Sequence, residues 1–80
     1  MKFTQYFLHT RKRTDRKEIK MEWITYAFEH PTFEVEQSDG RIRRWAYIKE
    51  VDKYLRIIIL KDLKTIHNAF FDRSFKPNKK

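Results

Sequence analysis

The 80-residue sequence contains no cysteine, one glycine and two prolines. Without cysteine, neither a disulfide framework nor a thiolate metal site can hold the fold together, which fits a reducing compartment. The scarcity of glycine and proline leaves little material for long loops. No apolar run approaches the roughly 20 residues that a membrane-spanning helix needs, and the N-terminus lacks the apolar segment of a signal peptide. We therefore expect a cytoplasmic protein that does not contact membranes.

The motifs of several enzyme classes are missing as well. The three histidines, at positions 9, 30 and 67, are widely spaced, and there is no HExxH motif, glycine-rich phosphate loop or GxSxG motif. These absences argue against metalloproteases, nucleotide hydrolases and serine hydrolases. We expect neither a bound metal nor a cofactor.

Positive charge, in contrast, is abundant. The chain has 19 Lys+Arg against 11 Asp+Glu and a net charge of +8, with basic clusters at positions 11–17 and 41–44. Such an excess favours a polyanionic partner, meaning nucleic acid, an acidic protein or an anionic surface. Solubility alone is the alternative use of this charge. We expect residues 1–75 to form a single domain and residues 76–80 a flexible basic tail.

Two helices are predicted in the N-terminal part. The first runs from Thr4, its N-cap, to about Arg13. If it continues further, one stripe of it carries Tyr6, His9, Arg13 and Arg16. The second begins at a capping box in which Asp15 and Glu18 bond the first turn, and it ends before Pro31.

Four strands are predicted after the helices, over residues 32–37, 41–50, 54–60 and 65–71. The connections are short turns, and Gly40 provides the positive φ that the first of them needs. Short connections favour an antiparallel meander. The predicted fold is therefore α+β, with two N-terminal helices packed on a four-stranded antiparallel sheet.

Histidine and arginine in a basic chain point to phosphate chemistry. RNA cleavage by attack of the 2′-OH needs proton transfer and cations that stabilise the phosphorane, and these two residue types supply both. The candidate catalytic residues are His9 and His67 for acid–base chemistry, with Arg44 and Arg56 for transition-state stabilisation. The candidate nucleic-acid-binding residues are Arg13, Arg16, Arg41, Arg43, Trp45 and Arg73, with Trp45 available to stack a base.

Structural roles remain open for several of these residues. His9 can be an ordinary helix-surface residue, and His67 can form a hydrogen bond across the sheet. Arg56 can form a cross-strand ion pair, for which the candidate partners are Glu34, Glu36 and Asp72. It also stays open which face of the sheet the helices cover. That choice decides whether Arg44 and Arg56 share a surface with His67.

Several segments together resemble a small bacterial protein family of unassigned function, over roughly residues 6–76. These segments are His9–Arg16, Trp23–Pro31, Asp39–Trp45, Tyr54–Arg56 and, most specifically, His67–Arg73. That family is distantly similar to the RelE/BrnT-type toxins, which are small basic α+β proteins that cleave RNA. The resemblance implies helices on a four-stranded antiparallel sheet, a cleavage surface on that sheet and a neutralising antitoxin. The superfamily also includes ParE-like toxins, which inhibit gyrase and are not nucleases.

The leading hypothesis is therefore a toxin of a toxin–antitoxin system that acts as a metal-independent endoribonuclease. Its expected partners are RNA and an acidic antitoxin protein, and the chain itself is expected to be a monomer or a homodimer. One alternative is a nucleic-acid-binding module without catalysis. The other is a ParE-like toxin or adaptor that acts by binding a protein.

Overall fold

A computed structural model describes residues 1–13 and 16–76 of the chain. In this part, the elements in chain order are β1 (Lys2–Phe3), α1 (Gln5–Thr10), α2 (Met21–Glu29), β2 (Phe33–Glu36), β3 (Ile42–Ile48), β4 (Lys53–Ile59) and β5 (Thr65–Phe71). The strands form one mixed sheet in the order β1-β5-β4-β3-β2. The pair β1 and β5 is parallel, and the other neighbouring pairs are antiparallel. The predicted α+β class is confirmed.

The predicted four-stranded antiparallel sheet is wrong, because the described residues contain a fifth strand. Lys2 and Phe3 pair in parallel with Thr65 and Ile66 at the far end of the chain. The Lys2 N–H donates to the carbonyl of Lys64 at 2.8 Å. A strand of only two residues has no alternation that could be recognised in the sequence. Its effect is to place the start of α1 beside β5.

Helix α1 begins as predicted but ends earlier. The Thr4 hydroxyl is the N-cap and accepts from the Phe7 N–H at 3.0 Å. The helix ends at Thr10 and not near Arg13, so the predicted long stripe is not part of one helix. Thr10 is buried and its hydroxyl donates to the Phe7 carbonyl at 3.0 Å. A hydroxyl that bonds the preceding turn in this way disfavours continuation of the helix.

Helix α2 begins later than predicted, at Met21, with Lys20 as a cap that makes no side-chain hydrogen bond. Glu18 precedes the helix in a turn, and Asp15, its predicted partner in a capping box, lies outside the described residues. The turn places Ile19 in the core, at 2 % exposure. The predicted end before Pro31 is confirmed.

Both helices cover the same face of the sheet. The core cluster consists of Phe7, Ile19, Trp23, Ile24 and Ala27 from the helical part, and Ile42, Ala46, Ile48, Leu55, Ile57, Ile59, Ile66 and Ala69 from the sheet. Strand β4 lies at the centre of the sheet, as its nearly continuous apolar run predicts. Burying one such aliphatic side chain is worth roughly 1.5–3 kcal/mol, so this face supplies most of the hydrophobic stabilisation.

Among the described residues, three in turns have positive φ, namely Gly40 at 91°, Asp52 at 54° and Leu63 at 62°. Gly40 confirms the predicted hairpin, and a Cβ there would approach the Lys61 side chain to 3.2 Å. Lys76 is exposed, and the rest of the predicted flexible tail lies outside the described residues. In the part of the chain described, no helix combines the length and apolar character that crossing a membrane requires.

Candidate nucleic-acid interface

The sheet face turned away from both helices is here called the open face. Strand pairing assigns to it the side chains of Phe33, Val35, Arg43, Trp45, Tyr47, Tyr54, Arg56, Ile58, Asn68 and Phe70. It therefore combines two arginines with many aromatic rings. Core faces of small domains avoid unpaired charge, so this composition marks a surface that is used differently from the helix-covered face.

Four open-face residues form a row across neighbouring strands. Phe33 pairs with Trp45, Trp45 pairs with Arg56, and Arg56 pairs with Phe70. The Arg56 guanidinium carbon lies 4.4 Å from the centre of the Phe70 ring and 6.0 Å from that of Trp45. Because neighbouring strands lie about 4.8 Å apart, the row spans roughly 14 Å. We call these four residues the cross-strand row.

Arg16, from the segment between the helices, extends this row beyond β5. Its guanidinium carbon lies 5.2 Å from the centre of the Phe70 ring. Its Nη1 donates to Asn68 Oδ1 at 2.7 Å and to the Ala69 carbonyl at 3.4 Å. Arg43 lies beside the row on β3 and donates to Gln37. Three of the predicted arginines, at positions 16, 43 and 56, thus belong to one surface.

Arg56 forms an ion pair with Asp72, one of its candidate partners, at 3.4 Å. Burial lowers the pKa of Arg56, and the charge of Asp72 acts in the opposite direction. Burial raises the pKa of Asp72, but hydrogen bonds from Trp45 and Ser74 and the charge of Arg56 outweigh it, so that pKa lies below its ordinary value. Both groups are therefore charged at neutral pH.

The end of the described chain covers part of the cross-strand row. The Phe75 ring stacks on Trp45, with centroids 4.6 Å apart and an interplanar angle of 14°. The indole N–H of Trp45 donates to Asp72 at 3.0 Å. Trp45 is consequently only 6 % exposed. Sequence reasoning missed the part played by Phe75, because a single aromatic residue after the last strand belongs to no periodic pattern.

His67 lies on β5 beside the start of α1. Its Nδ1 is 3.1 Å from Thr4 Oγ1, and its ring stacks on Tyr6 with centroids 4.8 Å apart. Since Thr4 Oγ1 already accepts from the Phe7 N–H, its own proton is available to Nδ1. Burial, and secondarily the positive charge of Arg41, lowers the pKa of His67. Neutral imidazole is thereby favoured near pH 7.

His9 is exposed on α1, three residues after Tyr6. Residues at this spacing are neighbours on a helix surface. His9 is therefore a helix-surface neighbour of the tyrosine on which His67 stacks. This pair of histidines is the part of the predicted catalytic set that the structure brings into one region.

Arg44 lies on the face covered by the helices. Its Nε donates to Glu34, its Nη1 donates to the Phe28 carbonyl at 2.6 Å, and its guanidinium carbon lies 5.4 Å from the Phe28 ring centre. Arg56 belongs to the open face. The four predicted catalytic residues are therefore not assembled into one centre, and Arg44 has a structural role that links β2, β3 and α2.

The remaining predicted binding residues lie outside the cross-strand row. Arg41 is half-buried and lies 3.7 Å from Asp39. Arg13 is exposed in the turn after α1, and Arg73 is exposed after β5. Arg73 also lines a cleft of about 370 Å³ with Arg16, Glu18, Lys53, Phe70 and Phe71. Lys53 was missed by sequence reasoning, because an isolated lysine at a strand end is the commonest kind of surface charge.

Among residues 1–13 and 16–76, no group of three or more His, Asp or Glu side chains is placed to hold a metal ion. The candidate interface consists of arginines and aromatic rings, with a histidine pair at the adjacent sheet edge. Comparisons with known proteins find no family model, no curated protein and no solved structure that matches the chain.

Proposed function

We propose that the chain binds single-stranded RNA on the open face. The observation that supports this most strongly is the cross-strand row, in which Arg56 lies between two aromatic rings and Arg16 extends the row past β5. Single-stranded nucleic acids are held by aromatic rings that stack bases and by cations that follow the phosphates. The net charge of +8 supports the same kind of partner.

The test is RNA binding as a function of salt. A labelled single-stranded RNA of about ten nucleotides is titrated with wild type and with Arg43→Gln. Each lost phosphate contact lowers the slope of log affinity against log salt by roughly 0.7 for a single strand. Arg43→Gln is expected to show this reduction. Lys20→Gln, which removes the same charge from the N-terminus of α2, is the matched control and should keep the wild-type slope. An affinity that does not change with salt would contradict the proposal.

A second candidate, favoured by the environment of His67, is a metal-independent endoribonuclease of the toxin type. A histidine of lowered pKa, half-buried beside Tyr6, can accept a proton at neutral pH. In this proposal His67 takes the 2′-OH proton and His9 is the acid–base partner. The proposal also includes action in the cytoplasm and an acidic antitoxin that binds the basic surface, with the chain as a monomer or homodimer.

The test of this candidate is RNA cleavage in EDTA. Wild type should yield 2′,3′-cyclic phosphate ends, and folded His67→Ala should yield none. His30→Ala, at the C-terminal cap of α2, is the control and should cleave at the wild-type rate. If His67→Ala cleaves as fast as wild type, the assigned role is wrong. If the wild type binds RNA in a salt-sensitive way but does not cleave it, the endoribonuclease proposal is wrong and only the RNA-binding proposal is supported.

A further inference from the structure

Phe75 fills an aromatic slot on the open face. Its ring stacks flat on Trp45, while Phe33 and Tyr54 meet it nearly edge-on, with ring centroids 5.3 and 5.0 Å away. One parallel ring with further rings against the edges is a suitable environment for any flat aromatic group, including an unpaired nucleobase. The slot therefore has the shape of a site for a planar ring and is occupied by one from the same chain.

Phe75, which fills the slot, is held less firmly than Asp72, the residue that ties this part of the chain to the sheet. Asp72 is fixed by the indole N–H of Trp45 and by Arg56. Phe75, three residues later, is held chiefly by its ring contacts, and its N–H lies 3.4 Å from the Asp72 carbonyl, a long hydrogen bond. Arg73 and Ser74 between them are exposed. Ser74 donates its N–H and its hydroxyl to Asp72, so the ring can leave the slot by rotation of the chain after Ser74 while Asp72 stays in place.

We propose that the slot formed by Phe33, Trp45 and Tyr54 is a nucleobase subsite, and that Phe75 is an internal occupant that a base of the RNA displaces. This inference rests on the proposed RNA-binding function. Trp45 is too deeply covered to stack a base until Phe75 leaves. Arg56, the next residue in the cross-strand row, lies where it can contact a phosphate next to that base.

Occupation of the slot by Phe75 should measurably reduce the affinity of the intact chain for RNA. When only the open form binds, the apparent affinity falls in proportion to the fraction of molecules in which the slot is empty. Removing the Phe75 ring should therefore tighten binding, by about tenfold if the slot is open in roughly a tenth of the molecules. If the Phe75 ring only stabilises the surface, its removal should weaken RNA binding or leave it unchanged.

The experiment compares Phe75→Ala with wild type in the full chain, using a labelled single-stranded RNA of about ten nucleotides. The control is Tyr26→Ala, which removes an exposed ring from α2 and should leave affinity unchanged. In a Trp23→Phe background Trp45 is the only tryptophan. Its emission should shift to longer wavelength in Phe75→Ala, and added RNA should quench it.

The outcomes separate the inference from the function on which it rests. Tighter binding by Phe75→Ala, with quenching of Trp45, supports both. Salt-sensitive binding by wild type with equal or weaker binding by folded Phe75→Ala overturns the subsite and keeps the RNA-binding function. Binding by neither protein overturns both. If circular dichroism shows that Phe75→Ala is unfolded, Phe75→Leu replaces it, since leucine keeps apolar contact but loses the flat stack. Equal affinity of that variant and wild type then overturns the inference.

Discussion

Asp72 connects the cross-strand row to the end of the described chain, and Asp72→Asn tests that connection. Its Oδ2 accepts from the Trp45 indole and lies 3.4 Å from Arg56, while Oδ1 accepts from the Ser74 backbone N–H at 3.1 Å and from its hydroxyl at 2.8 Å. Asparagine has nearly the same shape, but one of the two oxygens becomes an NH₂ donor. Both carboxylate oxygens of Asp72 accept hydrogen bonds, so the NH₂ group of asparagine faces a donor in either orientation of the amide.

The expected loss follows from the burial of the ion pair. The Asp72 side chain is 9 % exposed and that of Arg56 is 24 % exposed. Breaking a fully buried pair costs about 3–5 kcal/mol, whereas an exposed pair contributes about 0–1 kcal/mol. Between these limits, we expect Asp72→Asn to lower the free energy of unfolding by about 2 kcal/mol. In a chain of this size that corresponds to a fall in Tm of roughly 8–16 °C.

The assay is urea unfolding followed by circular dichroism at neutral pH. A double-mutant cycle with Arg56→Met should give a coupling energy of about 1 kcal/mol. Asp39→Asn, at a carboxylate whose side chain is 52 % exposed, is the control and should change stability by less than about 0.5 kcal/mol. A loss of stability below about 0.5 kcal/mol in Asp72→Asn, or no coupling energy with Arg56, would refute the reasoning.

Acid unfolding gives a second measure of the same group. The pKa of Asp72 is lower in the folded state than in the unfolded state. The stability it contributes is therefore fully present above the unfolded pKa of about 3.9, and it is lost as the pH falls through the folded pKa. Asp72→Asn should flatten this acid limb of the stability profile.

Three further changes test other parts of the structure. Leu63 has a φ of 62° and is 54 % exposed. Leu63→Gly removes a left-handed strain of about 1–2 kcal/mol and adds roughly 0.5–1 kcal/mol of chain entropy, so thermal unfolding should show a net gain of about 0.5–1 kcal/mol. Burial and the charge of Arg41 lower the pKa of His67, so its contribution to stability is present above pH ~6.5 and is lost as the pH falls through the folded pKa. His67→Gln should flatten that rise in denaturant titrations on either side of this pH. The indole N–H of Trp23 is buried without a hydrogen-bond partner in the described part of the chain. Trp23→Phe removes an unsatisfied donor that costs about 1–3 kcal/mol and loses some packing, so equilibrium unfolding should change by less than about 1 kcal/mol.

Several elements could be predicted from the sequence because one local rule decides each of them. Strand β5 occupies residues 65–71 as predicted, and β4 begins and ends within one residue of its predicted bounds. Pro31 ends α2, and Gly40 has the positive φ of a hairpin turn. The two residues of β1 could not be predicted, because they are a strand only through pairing with β5 at the other end of the chain.

The separation of Arg44 from Arg56 depends on the length of the connection between β3 and β4. Residues 49–52 connect β3 to β4, since Ile48 pairs with Lys53. A loop with an even number of residues pairs even-numbered positions with odd-numbered ones. Arg44 and Arg56 are both even-numbered, so they must lie on opposite faces. The predicted bounds, 41–50 and 54–60, leave a connection of only three residues and would place both arginines on the same face. Alternation within β4 could not correct this, because its apolar run is nearly continuous.

The position of Phe75 over part of the open face could not be inferred from the sequence. Arg43, Trp45 and Arg56 were recognised because they interrupt or border apolar strands in a basic chain. Phe75 lies outside every strand, and its contacts with Trp45 depend on where the chain turns after Asp72. Such contacts join residues far apart in sequence, and no local pattern specifies them.

The composition of the open face depends on one irregularity in β5. The register shifts between Ile58 and Ile59, because Ile59 pairs with Ile66 and Ile58 pairs with Asn68, which leaves His67 as an extra residue. Without this bulge, the alternation would pair His67 with Ile58, on the open face. Arg56 would then lie opposite Ala69. The extra residue instead places Phe70 beside Arg56, while His67 contacts Thr4 and Tyr6. The same shift therefore builds the cross-strand row and leaves His67 outside the pairing of β4 with β5, beside the start of α1.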